Sequence, residues 1–183
     1  MFSENIIRSS YSNTFRKGDF KMNVRPAKLS DVEQIMKIWN PYIKNSLVTF
    51  NSSEKTKEDI CDLIEVRRKK GHEFWIASKN DKAIGFASYD QLRAGVGYRY
   101  SMEHTIIVST EAKGLGVGKK LMGILCAHAK SRDINSMWAG VSALNVEAIK
   151  FHEAIDFKIV ARLPEVGYKF DSFIDLVLMK KNL

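Results

Sequence analysis

The stretch Thr105–Lys120 constrains this chain more than any other. An apolar run, Thr105-Ile-Ile-Val108, leads into a turn with glycines at 114, 116 and 118, and Lys119-Lys120-Leu121-Met122 then opens an amphipathic helix. A strand, a glycine-rich turn and a helix in that order build a seat for an anion. Glycine lets the backbone approach a charge closely, and the first amides of the helix, at its positive dipole end, point at it. The spacing also selects among phosphate loops. A Walker loop would need Gly at position 113 and Ser or Thr at 120, where the chain has Lys113 and Lys120. A dinucleotide fingerprint starting at Gly114 would need its third glycine where Lys119 stands. A helix start with fortuitous glycines is the bland alternative at this stage.

At 183 residues and 45% hydrophobic, the chain is long and apolar enough for one domain with a sizeable core. It contains no apolar run near the ~20 residues that span a bilayer, so it reads as soluble. Cys61 and Cys126 fall in expected helices as small core residues and lack disulfide-framework or zinc spacing, which favours a reduced, cytoplasmic setting. His72, His104, His128 and His152 show no metal-ligand spacing, and no metal is expected. The net charge of +8 is scattered among acidic residues rather than gathered on one face, so neither a nucleic-acid nor a membrane partner is expected.

Residues 1–21 are rich in Ser, Asn and Arg without a clear period and read as a non-catalytic extension; residues 22–183 read as the working domain. Asn23-Val-Arg25 suggests a short strand. Ser30-Asp-Val-Glu33 has the form of a capping box for a helix with Val32, Ile35, Met36 and Trp39 inward, ending at Asn40-Pro41. Thr56–Lys70 predicts a second helix, capped by Thr56 and stopped by Gly71. Phe74–Ala77 and Ala83–Tyr89 predict a hairpin across Asn80-Asp81. A polar loop to Ser101, a strand at 102–108, a helix to Arg132, a strand at Met137–Val141, a helix at Asn145–Ala154 and strands near Phe157–Val160 and Ile174–Met179 complete the order βααβββαβαββ. That order is α/β (α+β): one mixed sheet flanked by helices.

Glu103 is the residue most in need of a role, because a carboxylate in an apolar strand is costly to bury without one. It reads either as a general base with a raised pKa, suited to taking a proton from an amine, or as a structural acid paired with Arg93 or Arg99. Those arginines offer a planar fork for a substrate carboxylate or phosphinate, or else are solvated loop charges. Asn145 suits both a ligand contact and a helix N-cap. His152, two turns along the same helix, would serve as an acid for a departing thiolate only if it faced the crevice that holds Glu103; a packed histidine is the plainer reading.

The loop Lys113-x-x-Gly116-x-Gly118 is similar to the acetyl-CoA pyrophosphate loop of the GNAT acetyltransferases, Gln or Arg, x, x, Gly, x, Gly or Ala, with lysine keeping the positive charge. Further segments carry a narrower resemblance: Val24-Arg-Pro-Ala27, Ile84–Tyr89, Gly97-Tyr-Arg99, Glu103-His104, Asn145-x-x-Ala148, Phe151-His-Glu153, and Leu163–Phe170 running into Ile174-Asp-Leu176. From Met22 onward the chain resembles the phosphinothricin and methionine sulfoximine (methionine sulfone) N-acetyltransferases of that superfamily. The resemblance implies a GNAT fold with a mostly antiparallel sheet, acetyl-CoA as donor and a small amino-acid-like acceptor. It alone implies a homodimer.

By motif match, Ile106, Ile107 and Val108 would present backbone groups to the pantetheine, and Asn145 would contact the same arm. Lys113, Gly114, Leu115, Gly116, Val117, Gly118 and Lys119 would hold the pyrophosphate. Arg93, Ala94 and Gly95, with Glu103, His104 and Thr105, would line the acceptor pocket. Glu103 would act as base, and His152 or solvent would protonate the thiolate. Gly95, Ser46-Leu-Val-Thr49 and Asp156 depart from the resemblance, the first two near the pocket. Within acyl transfer, a protein N-terminus or a polyamine is the alternative acceptor. From another class, the alternative is a non-catalytic module binding CoA or nucleic acid.

Overall fold

The computed structural model describes residues 21–183, so the extension expected at 1–21 lies outside the described residues but for Lys21. Along the chain run β1 (Asn23–Pro26), α1 (Val32–Asn45), α2 (Lys57–Lys69), β2 (Phe74–Lys79), β3 (Lys82–Gln91) and β4 (Ser101–Val108). Then come α3 (Val117–Lys130), β5 (Ser136–Ser142), α4 (Val146–Glu153), β6 (Lys158–Lys169) and β7 (Ser172–Asn182). The order matches the sequence expectation. One seven-stranded sheet, β1-β2-β3-β4-β5-β7-β6, carries these elements. Its neighbours pair antiparallel except β4 and β5, which run parallel on either side of the α3 crossover.

Local chemistry explains most boundaries. Thr56 caps α2 by accepting from the Asp59 N–H, and Asp59 returns the bond to the Thr56 N–H. Asn80 and Asp81 both take positive φ, the geometry a two-residue hairpin demands. Two expectations at α1 fail. Ser30 is not its cap: a short 3₁₀ turn, Leu29–Asp31, precedes the helix, and the Asp31 carboxylate accepts from the Lys28 N–H and pairs with Arg25. Nor does Asn40-Pro41 end it. Pro41 lies inside α1, which runs on to Asn45 because Ile43 continues the buried stripe of Ile35, Ile38 and Trp39. β6 and β7 also extend well past the expected 157–160 and 174–179, as a long hairpin with a register shift between Leu163 and Gly167.

Two apolar layers sandwich the sheet. α3 covers one face with Leu121, Met122 and Leu125 against Tyr89, Met102, Met137 and Met179. α1 and α2 cover the other, where Ile35, Trp39, Ile60 and Ile64 meet Phe74, Ile76, Phe86 and Ile107. Side chains alternate along β4. Ile107 therefore marks the face of Glu103 and Thr105 as the α1/α2 side, whereas Met102 marks that of His104 as the α3 side. Cys61 and Cys126 sit half-buried in α2 and α3.

Candidate active site

β4 and β5 pair at only three positions, Ser101 with Ser136, Met102 with Met137 and Glu103 with Trp138. Beyond Glu103 they part. Glu103–Val108 of one strand and Ala139–Ser142 of the other then line opposite walls of a cleft of about 890 Å³. The parted edge of β4 is a row of backbone donors and acceptors without a strand beside it, available to an extended ligand. Ile106, Ile107 and Val108 lie along it, and the Val108 carbonyl also accepts from the Tyr42 hydroxyl at 2.7 Å.

At the far end of β4 the glycine turn closes the cleft. Gly114 and Gly116 have φ of +75° and +80°, and a Cβ on either would meet nothing within 4 Å, so both backbone units stand open. Gly116 is the N-cap residue of α3. The N–H groups of Val117, Gly118 and Lys119 find no acceptor among the described residues, and the first turn holds no acidic side chain. Lys113 and Lys119 add positive charge at the same place. A pyrophosphate fits such a seat. The Leu115 side chain is absent from the cleft wall: it packs on the α3 core, which leaves only its backbone to the loop. Asn145 lines the cleft while its Oδ1 accepts from the Ala148 N–H at 3.1 Å, so it is the N-cap of α4 and still has its amide nitrogen to offer.

Glu103 stands where the strands separate. No hydrogen bond or ion pair engages it among the described residues, so the expected structural alternative, pairing with Arg93 or Arg99, does not occur. The cleft walls displace enough water to push its carboxyl pKa above the ordinary value. Room for the carboxylate comes from Gly140 on β5, where a Cβ would lie 2.9 Å from Glu103 Oε1.

His152 reaches the same cleft from the α3 side, with His104 beside it. Both are buried, at 4% and 8% exposure. His152 Nδ1 lies 2.7 Å from the Ala148 carbonyl, which can only accept, so Nδ1 carries the proton. Its Nε2 then accepts from His104 Nε2–H at 3.1 Å. Burial depresses both pKa values, that of His104 to about 3. The pair is neutral at physiological pH.

The arginine loop is the main departure from expectation. Arg93, Ala94, Gly95 and Arg99 all sit exposed on the 92–100 loop, and none of them lines the cleft. The Gln91 side chain pins the turn by donating to the Arg93 and Gly95 carbonyls. Thr105 and His104 do line the cleft.

Several cleft residues escaped the sequence reading: Trp39 and Tyr42 on α1, Phe50 on the following loop, Arg67 on α2 and Gly140 on β5. Arg67 had a readable signal, since it continues the buried Ile60, Ile64 stripe at the next helical turn. Gly140 and Phe50 had none, because what they do depends on strands and loops distant in sequence.

Comparison with known proteins accords with this geometry. Residues 32–157 match the model of the acetyltransferase (GNAT) family. The L-methionine sulfoximine/L-methionine sulfone acetyltransferase of Salmonella typhimurium is 28% identical over 162 residues, 88% of this chain and 95% of the relative. A Brucella melitensis ribosomal-protein-alanine N-acetyltransferase structure superposes with a TM-score of 0.85 at 30% identity, covering 88% of this chain and 99% of that one. A Salmonella typhimurium acetyltransferase structure holding its cofactor acetyl-CoA has a TM-score of 0.85 at 28% identity, over 88% and 94% of the two chains. The parted parallel strands, the open glycine seat and the family match converge: the chain belongs to the acetyltransferase (GNAT) family and is an acetyl-CoA-dependent N-acetyltransferase.

Proposed function

We propose that the protein moves the acetyl group of acetyl-CoA onto the α-amino group of a small amino-acid-like acceptor of the methionine sulfone, methionine sulfoximine or phosphinothricin type. Transfer occurs by direct attack within a ternary complex. The observation that carries the reading is Glu103, an unpaired carboxylate with a raised pKa at the parting of β4 and β5, in one cleft with the open α3 seat.

Bound acetyl-CoA supplies the thioester carbonyl that the amine attacks. Lys113, the Gly114–Gly118 backbone and Lys119 hold its pyrophosphate, while the Asn145 amide and the backbone of Ile106–Val108 hold the pantetheine arm. Glu103, directly or through water, takes a proton from the acceptor ammonium, freeing the nitrogen lone pair. A backbone N–H near Ile106 meets the oxyanion as the C–N bond forms, and the attacking nitrogen gives up its second proton to solvent as the C–S bond breaks. The thiolate takes its proton from solvent. His152 is a poor source, because its one N–H is committed to the Ala148 carbonyl and its other nitrogen accepts from His104.

Three further readings belong to this proposal. The catalytic domain spans residues 22–183, the extension is non-catalytic, and the protein acts in the cytoplasm. It works as a homodimer through β6, an outer strand with Ile159, Val160, Val166 and Tyr168 exposed. A protein N-terminus is a second acceptor reading, favoured by one observation: the exposed 92–100 loop contributes no residue to the wall of the cleft.

The test is an acceptor screen with a thiol-release readout, run with and without residues 1–21. Methionine sulfone, methionine sulfoximine and phosphinothricin are offered beside peptides and polyamines. Turnover of peptides alone would replace the amino-acid reading with the second one. Glu103→Gln is expected to lower kcat by ~10²–10⁴-fold and to abolish the acid limb of the pH profile. In the wild type that limb should lie above the usual ~4.3 of a glutamate, because the base works only when ionised and its pKa is raised. An unchanged limb in the variant removes Glu103 from the base role.

A further inference from the structure

Among the described residues, Arg67 is a buried cation with no ion-pair partner. It lies on the inward stripe of α2, one turn beyond Ile64, at 9% exposure, and lines the cleft. Among the described residues its Nε is buried and finds no acceptor, and one terminal nitrogen reaches only the Leu63 carbonyl, at 3.4 Å. Asp90 is the one carboxylate whose charge acts on it, but both Asp90 oxygens are engaged by Lys70 Nζ at 3.0 Å and one also accepts from the Gln91 N–H. Burying an unpaired guanidinium is expensive, and burial here already works against its charge. Such a group is stabilised when an anion enters from outside, and the cleft is the way in.

Position narrows which anion. Asp90 pairs with Glu103 across the β3–β4 ladder, so the two carboxylates share the α1/α2 face of the sheet, and Arg67 approaches from α2 on that face. The glycine seat at α3 is a separate part of the cleft, with cations of its own. The acceptor side thus holds one unpaired cation and one unpaired carboxylate, the complement of a zwitterion. We infer that Arg67 receives the carboxylate of the amino-acid acceptor while Glu103 faces its ammonium. The assignment rests on the amino-acid reading above, and it moves the carboxylate anchor from the exposed Arg93 and Arg99 to a residue within the cleft.

Methionine sulfone is the clean probe, because its carboxylate is its only anion. Its partner is the amine left when that carboxylate is removed. Both are assayed with wild type, Arg67→Met and Arg67→Lys, together with direct calorimetric binding of methionine sulfone and of acetyl-CoA. Arg67→Met should lose ~10–100-fold in kcat/KM for methionine sulfone, chiefly through KM, the size expected for a hydrogen-bonded charge. The loss on the carboxylate-free amine should be several-fold smaller than that on methionine sulfone, with little change in acetyl-CoA affinity, and Arg67→Lys should recover part of the methionine sulfone loss.

Equal losses on both acceptors, or unchanged binding of methionine sulfone, overturn the assignment while leaving the amino-acid reading intact. A wild type that prefers the carboxylate-free amine overturns both. If Arg67→Met does not fold, Arg67→Lys carries the same two-acceptor comparison.

Discussion

His104 and His152 show how two polar side chains can be buried when each completes the other. The tautomers follow from a single fixed point, the Ala148 carbonyl, and the chain of hydrogen bonds begins at the His104 ring, whose unprotonated Nδ1 is buried without a partner among the described residues. A second proton on either ring would have no acceptor, which accords with the depressed pKa values. The consequence for stability has a definite sign. Between the usual histidine pKa of ~6.5 and the folded value for His104 of about 3, the unfolded chain binds a proton that the folded chain refuses. The His104 contribution is therefore complete above ~6.5 and is lost as pH falls toward about 3, at up to ~1.4 kcal/mol per pH unit. Urea midpoints should fall from neutral pH to about pH 5, and a flat series would mean that the pair is not held neutral. His152→Leu should cost ~1–3 kcal/mol by orphaning the His104 N–H, while sparing kcat the ~10²–10⁴-fold loss of a true general acid.

At the scale of elements, the tip of the β6–β7 hairpin acts on the cleft from outside it. Lys169, at 3% exposure, donates to the carbonyls of Ile43 at 2.6 Å and Thr49 at 2.8 Å, tying the hairpin to the end of α1 and its following loop. Phe50 belongs to the cleft wall, and its ring lies where a Cβ on residue 167 would be, 2.5 Å from the nearest ring atom. Gly167→Ala should displace the ring, lower stability by ~1–3 kcal/mol and reduce kcat/KM for the acceptor, with the affinity for acetyl-CoA unchanged. Equal effects on both substrates would place Phe50 outside the acceptor pocket.

Such couplings explain what a sequence reader could and could not see. The order of the elements was legible because period, caps and turn residues are local, as at Thr56 and Asn80-Asp81. Pro41 misled because the lost backbone bond is local, whereas the burial of Ile43 that outweighs it is tertiary. The glycine seat and Asn145 were legible because their signals are local. The facing wall was legible only in part: Glu103 stands out in its strand and Arg67 continues the α2 stripe inside a basic run, but the approach of Phe50 to Gly167 joins segments more than a hundred residues apart.

For the whole molecule, the edges of the sheet matter most. β1 is a short edge of four residues, but β6 is a long one, twelve residues with Ile159, Val160, Val166 and Tyr168 exposed, and Phe170 and Phe173 follow at its turn. An open apolar edge of this length invites pairing. Sedimentation should find a dimer at micromolar concentration, and Val166→Lys should shift it toward monomer. A wild-type monomer under those conditions would refute the homodimer.

The short seam between β4 and β5 has a consequence beyond the cleft. It divides the sheet where the chain itself divides: every strand of the β1–β4 ladder precedes α3, and every strand of the β5–β7 ladder follows it. Each ladder contains a tight hairpin of its own, β2–β3 in one and β6–β7 in the other, and what joins the two is the three rungs, the α3 core, the His104–His152 contact and the Lys169 bonds to Ile43 and Thr49. The turn at 131–135, between α3 and β5, is thus the natural cut for fragment complementation: a chain severed there keeps both ladders whole, and all that the fragments must rebuild is the boundary on which the chemistry takes place.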